Sequence, residues 1–207
     1  MPKLKLAVLV SGGGTNLQAI IDAVEENYVP AEIAVIISNK QDAYALQRAS
    51  KHNIPTVFIN HKDYSSREDF ERAMIEEINK RQADLICLAG FMRVLTELFV
   101  SHYPNRILNI HPALLPAAKG LYGEHVHEAI LNSGAKFSGC TVHFVTTDVD
   151  GGPIVIQKIV PVEDNDTPQA LAERILLQEH IAYPEAIKLF AENKLEIVGN
   201  RVKIKRG

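Results

Sequence analysis

Residues 4–24 read LKLAVLVSGGGTNLQAIIDAV, and the fold class follows from how this stretch changes period. Leu4 to Val10 is a nearly continuous apolar run, the pattern of a strand covered on both faces. It ends at Ser11-Gly12-Gly13-Gly14. Past that turn, Leu17, Ile20, Ile21 and Val24 fall at the i, i+3, i+4 and i+7 positions of one helix face. The order is strand, glycine turn, helix.

Working outward, the same alternation recurs. Ile33 to Ile37 forms a second apolar strand, residues 42–52 read as a helix, and Thr56 to Ile59 after Pro55 as a third strand. Ser65 and Glu68 have capping-box spacing ahead of a helix running to about Arg81, and Leu85 to Ala89 supplies a fourth strand. A short helix near Thr96 to His102 precedes a strand at Arg106 to Ile110, followed by a Pro- and Gly-rich passage from Pro112 to Gly123 that reads as a mobile loop. Val126 to Leu131 is helical in pattern. Cys140 to Val145 and Ile154 to Val162 are strands joined through Asp148-Val149-Asp150-Gly151-Gly152-Pro153. Thr167 and Pro168 open a long last helix, interrupted near Pro184, and Gly199-Asn200 marks a terminal hairpin. Strands alternating with helices predict an α/β fold, Rossmann-like, with an open, mainly parallel sheet and helices on both faces. With no linker or repeat in 207 residues, the expectation is one domain over 1–207.

Composition excludes several classes. Hydrophobic residues make up 46% and charged residues 23%, with no low-complexity tract, which rules out disorder, collagen and coiled coil. Lys and Arg number 22 against 25 Asp and Glu, so general nucleic-acid binding has no electrostatic footprint. The longest apolar runs, such as Leu85 to Met92, are too short to span a membrane. Leu6 to Val10 after Lys3 and Lys5 is too short for a secretory signal and lacks a cleavage site. Cys87 and Cys140 read as two reduced core thiols of a cytoplasmic protein.

Few residues are placed to carry chemistry. The turn at Ser11 to Asn16 follows a strand and opens a helix, so its backbone N–H groups suit a phosphate; a purely structural tight turn is the alternative. A dinucleotide fits less well, because Leu17 takes the third glycine position and the second strand ends in Ser38-Asn39 without an acidic ribose ligand. No Gly-Lys-Ser/Thr follows for a P-loop. Asn109 and His111 stand at the C-terminal end of a strand, the edge where open parallel sheets bind ligands. Asp150, in a Gly-Gly-Pro turn after another strand, is a carboxylate that could tune His111; a turn aspartate and a structural histidine are the bland readings. His125 and His127 do not share a helix face and lack a third ligand, so no metal is expected; His143 reads as a packed, hydrogen-bonded core histidine. No nucleophile elbow is present, which leaves covalent catalysis unsupported.

Taken together, VLVSGGGTNLQAIIDA (8–23), DLICLAGFMRVL (84–95), LNIHPALLP (108–116), SGCTVHFVTTDVDGGPI (138–154) and QEHIAYP (178–184) resemble the folate-dependent glycinamide ribonucleotide formyltransferases of purine biosynthesis. The resemblance implies an enzyme that moves the formyl group of 10-formyltetrahydrofolate to the amine of glycinamide ribonucleotide without a metal. By it, Asn109, His111 and Asp150 match the catalytic positions, with Asn109 and protonated His111 stabilising the oxyanion and Asp150 assisting. Gly14, Thr15, Asn16 and Glu179 match positions holding the phosphoribosyl substrate. Arg67, Met92, Arg93, Val94 and Leu95, with Asn109, match the folate site. It implies the two small molecules as partners, no nucleic acid or membrane, and a cytoplasmic monomer or homodimer. One departure stands out: after Pro116, where the family often has an aromatic residue and Pro-Gly, this chain reads Ala117-Ala118-Lys119-Gly120. Related formyltetrahydrofolate hydrolases carry an extra N-terminal domain and methionyl-tRNA formyltransferases an extra C-terminal one, so the transferase is the expected member. A non-catalytic phosphosugar sensor is the reading from another class.

Overall fold

In the computed structural model, which describes residues 3–205, the chain forms two compact units divided between Asn109 and Ile110. The outer bounds of the expected 1–207 domain lie outside the described residues. The first unit contains β1 (Leu4–Val10), α1 (Thr15–Glu25), β2 (Ala31–Ser38), α2 (Tyr44–Lys51), β3 (Thr56–Phe58), α3 (Arg67–Lys80), β4 (Leu85–Leu88), α4 (Glu97–His102) and most of β5 (Ile107–His111). Its strands run in the order β3-β2-β1-β4-β5 and pair in parallel. Leu6 to Val10 and Leu85 to Leu88 are buried at every successive position. Because side chains alternate between sheet faces, burial without alternation means both faces of these strands are covered.

The second unit holds α5 (Glu124–Asn132), β6 (Phe137–Phe144), β7 (Ile154–Pro161), α6 (Pro168–Ala191), β8 (Leu195–Val198) and β9 (Arg201–Ile204). β6 and β7 are antiparallel, β9 joins β7 in parallel, and β8 and β9 close the terminal hairpin expected at Gly199-Asn200.

Two local expectations need correction. Helix α3 is capped one residue later than Ser65: Ser66 Oγ accepts from the Asp69 N–H at 3.0 Å, and both serine hydroxyls donate to the Asp69 carboxylate. The hydroxyl that meets the N3 amide wins, and Ser65 is left to brace the same aspartate. Helix α6 is not interrupted at Pro184 but runs unbroken from Pro168 to Ala191. Proline removes one helical N–H, yet Ala182, Tyr183, Ala186 and Ile187 around it are fully buried, and that packing holds the helix through the gap.

Candidate active site

The glycine turn of the first unit is built from the backbone. Gly14 is the N-cap of α1 in the left-handed region (φ 71°, ψ 34°), with no side-chain cap and no acidic residue in the first turn. The positive end of the helix dipole is therefore not compensated by its own sequence, unlike α3, which has Ser66, Glu68 and Asp69. A side chain at Gly14 would strike α2, since an added Cβ would lie 2.6 Å from Ala45 Cβ. Asn16 is buried just inside the helix and Thr15 is partly so.

Ser11 ties this turn to the segment after β4. Its N–H donates to the Gly90 carbonyl at 3.1 Å, and its Oγ donates to Asn39 Oδ1 at 2.6 Å while accepting from the Met92 N–H at 2.9 Å. At the far end of the segment, the buried Glu71 carboxylate accepts from both the N–H and the hydroxyl of Thr96. Between these anchors, Arg67 donates to the Val94 carbonyl, the Arg93 guanidinium lies 5.5 Å from the Phe70 ring centroid, and the Met92 and Val94 side chains face outward. Five of the six residues expected at the folate thus lie on one pinned stretch and the helix beside it, while Asn109 lies on β5.

The titratable cluster belongs to the second unit. His111 ends β5, and strand alternation puts Asn109 on the same strand face two residues earlier. His111 is almost fully buried; its Nδ1 is 3.6 Å from Asp150 Oδ2, and Asp150 Oδ1 is 3.6 Å from His143 Nε2. Gly120 N–H donates to Asp150 Oδ2 at 3.0 Å. His143 Nδ1 donates to the Phe144 carbonyl at 2.9 Å. His111 Nε2 is buried and has no protein partner, while the ring also bonds the Ala118 backbone. With Nδ1 facing a carboxylate, the neutral ring is assigned the Nδ1–H tautomer, which leaves the Nε2 lone pair open.

Burial pushes His111 below its ordinary value of 6.5, and the pull of the Asp150 carboxylate in the other direction does not overcome it. The charges of His143 and His127 press the same way as burial. In the unliganded protein His111 is therefore a neutral ring at neutral pH rather than an imidazolium. Burial pushes the Asp150 carboxyl up, but the facing His143 ring, the Gly120 amide and the nearby His111 ring outweigh it and hold it below the usual carboxylate range. Asp150 also sits in the left-handed region at φ 52°, which among side-chain-bearing residues Asp and Asn tolerate best.

The loop from Pro112 to Gly123 is fastened at both ends. Thr141 Oγ1 donates to the Ala113 carbonyl and accepts from the Leu115 N–H, and Gln157 donates to the Leu115 carbonyl at 3.1 Å. Farther on, Lys119 Nζ grips both oxygens of Asp148 at 2.8 and 2.7 Å.

Four further residues complete the account of the sequence-predicted set. Glu179 is buried on α6, and its charge reaches Cys140, whose thiol burial pushes up to about 12. His125 is exposed beside Glu128, whereas His127 is buried with its pKa lowered by burial. His143 is the residue sequence reasoning undervalued: it is packed and hydrogen-bonded as expected, yet its other nitrogen faces Asp150. The signal available was its spacing, seven residues before Asp150, which itself precedes Gly151-Gly152-Pro153. Among the described residues, no group of three His, Cys, Asp or Glu side chains is placed to hold a metal ion.

The chain is 43% identical to the phosphoribosylglycinamide formyltransferase of Escherichia coli (strain K12), over 95% of this chain and 92% of that protein. It is 46% identical over 199 residues to the trifunctional purine biosynthetic protein adenosine-3 of Chironomus tentans, but spans only 14% of that protein's length. The crystal structure of glycinamide ribonucleotide transformylase 1 from Symbiobacterium toebii matches with a TM-score of 0.95 at 48% identity, covering 99% of this chain and 95% of that one. That likeness fixes the fold class as α/β, a mainly parallel sheet with helices on both faces. Residues 4–187 match the formyl transferase family, a region reaching through both units. The chain belongs to the formyl transferase family.

Proposed function

We propose that the chain is a phosphoribosylglycinamide formyltransferase: it transfers the formyl group of 10-formyltetrahydrofolate to the amine of glycinamide ribonucleotide in purine biosynthesis. The observation that carries this reading is the buried His111, with Nδ1 turned to Asp150 and Nε2 lacking any protein partner. The names of the matched E. coli and S. toebii proteins point to the substrate class.

The chemistry divides among named residues. The glycinamide amine attacks the formyl carbon, the C=O electron pair moves onto oxygen, and a tetrahedral intermediate forms. Asn109 donates its amide N–H to that oxyanion. His111 enters neutral and takes up at Nε2 the proton that the attacking amine gives up, because the oxyanion favours the imidazolium that burial disfavours in the resting protein. The Asp150 carboxylate compensates this new charge. When the oxygen lone pair re-forms the carbonyl, the bond to the folate N10 breaks and that nitrogen receives the proton lost by the amine, relayed through His111, Asp150 or water. The protein supplies position and preorganised dipoles; the nucleophile belongs to the substrate.

Gly14, Thr15, Asn16 and Glu179 are assigned to the phosphoribosyl substrate, and Arg67, Met92, Arg93, Val94, Leu95 and Asn109 to the folate. The uncapped start of α1 supports the first group and the anchoring of the 92–95 segment the second. Residues 1–207 are read as one formyltransferase domain, a reading supported by the span of the family match, 4–187. The protein is placed in the cytoplasm as a monomer or homodimer, with 10-formyltetrahydrofolate as co-substrate, no metal requirement, and no nucleic-acid or membrane partner. Cys87 and Cys140 form no disulfide, and no described helix is long and apolar enough to cross a membrane.

The test is absorbance-monitored turnover of formyltetrahydrofolate with and without glycinamide ribonucleotide. Loss that depends on the amine is expected. Equal loss without the amine would make the chain a hydrolase, and tight phosphosugar binding without any loss would make it a sensor.

A further inference from the structure

Helix α2 touches the glycine turn at two successive peptide groups. The Ala45 N–H donates to the Gly12 carbonyl at 3.1 Å, and Arg48 Nε donates to the Gly13 carbonyl at 2.9 Å. In a planar trans peptide the N–H points opposite to its own C=O. With both carbonyls turned onto α2, the N–H groups of Gly13 and Gly14 are turned away from it, at a stretch where Gly12 and Gly13 are exposed. Consecutive amides held this way form an anion-binding concavity, and they stand at the start of a helix without its own cap.

Arg48 is itself fixed. Its Nη1 donates to Gln18 Oε1 at 3.3 Å, Gln18 in turn donates to Asp22 Oδ1 at 2.8 Å, and the guanidinium carbon lies 5.0 Å from the Tyr44 ring centroid. One helix therefore grips the turn through a side chain anchored on both α1 and α2. The contact leaves no slack, since a Cβ on Gly14 would also lie 2.9 Å from Ala45 Cα.

We propose that Ala45 and Arg48 are positioning residues for the phosphoribosyl substrate, pinning the Gly12 and Gly13 carbonyls so that the Gly13 and Gly14 amides converge on the substrate's phosphate monoester. This rests on the reading of the glycine turn as the phosphate site. Arg48 acts through the backbone: its Nε is spent on a carbonyl, and the phosphate meets main-chain N–H groups.

Three variants test it by steady-state kinetics, with thermal melting as a control for folding. Arg48→Met keeps the aliphatic stem and removes the donor; it should raise KM for glycinamide ribonucleotide about five- to tenfold, the scale of one lost net hydrogen bond, with kcat and the folate KM within about twofold. Arg48→Lys, which restores an N–H donor, should recover most of the loss. Ala45→Val crowds the turn without changing charge and should raise the same KM. With glycinamide riboside, which lacks the phosphate, Arg48→Met and the parent should have equal kcat/KM. An equal loss on both substrates, or a parent-like KM in both Arg48→Met and Ala45→Val, overturns the proposal. Gly14→Val separates this from failure of the underlying reading: if folded Gly14→Val binds the phosphoribosyl substrate normally, the turn is not the phosphate site at all. If Gly14→Val is impaired while Arg48→Met and Ala45→Val are not, only the positioning role falls.

Discussion

The glycine turn and the His111 cluster solve different problems with different materials. At the turn, the recognising groups we propose are main-chain amides, which carry no titratable proton; the carbonyls of the same peptide groups are bonded to α2. Around His111, Asp150 and His143 lie close to one another, and the protonation of His111 responds to the charge of the Asp150 carboxylate. A fixed dipole suits a charge already present in the substrate. A titratable ring suits a charge that exists only as the reaction proceeds. The contrast teaches that damage to the first should appear in binding and damage to the second in turnover.

The largest expected break is Asp150→Asn. Asn accepts the left-handed backbone at this position, so the variant removes the charge while keeping the turn. Without the carboxylate the burial penalty on His111 is opposed only by the Ala118 backbone hydrogen bond, and its pKa, already below 6.5, falls further. Turnover at neutral pH should drop by roughly 10³–10⁴, the scale for converting a carboxylate beside a catalytic histidine into an amide, with KM values little changed. NMR titration of His111 in both proteins checks the cause: an unmoved midpoint with normal turnover would reduce Asp150 to a turn residue.

Asn109→Ala should lower kcat by about 10²–10³, the cost of one oxyanion donor, again with modest effect on KM. Stopped-flow single-turnover rates locate the loss in the chemical step. Gly14→Val should act on the other side of the comparison. A β-branched residue at φ 71° and the collision with Ala45 both distort the turn, so calorimetry should show phosphoribosyl affinity weakened by about 10- to 100-fold, as for one or two lost charge-assisted hydrogen bonds. Folate affinity should be retained.

The smallest effect sharpens the contrast between two helix starts. Ser66→Ala removes a cap that α3 supplies for itself, and should cost about 1 kcal/mol of stability by denaturant titration without altering either KM by more than about twofold. A large KM change there would mean that capping and ligand binding are not separable in this molecule.

Much of the fold was legible because its strands carry unbroken apolar runs. Leu4 to Val10 was readable to the residue, and Leu85 to Leu88 nearly so, since nothing but a strand covered on both faces places four or more apolar residues in succession between turn signals. What escaped was decided by contacts distant in sequence. Pro184 carries a breaker's signature, and only the burial of Tyr183 and Ile187 around it keeps α6 continuous. The same holds at the site. The ends of strands pointed to His111 and Asp150, but His143 alternates like any core residue, and the partner on its Nε2 is invisible to a periodicity argument. The sign of the Asp150 effect on His111 could be reasoned from charge alone. The net shift could not, because it depends on how deeply the ring is buried.

The Lys119 grip on Asp148 has a consequence for how steadily the cluster is held. Lys119 lies between Ala118, whose backbone bonds His111, and Gly120, whose N–H bonds Asp150. Both partners of the ion pair are solvent-exposed, at 38% and 68%. Exposed pairs of this kind contribute about 0–1 kcal/mol, so the fastened state outnumbers the released one by no more than about fivefold from this contact alone. The stretch that supplies backbone partners to both His111 and Asp150 thus carries a surface clasp that dissolved salt weakens.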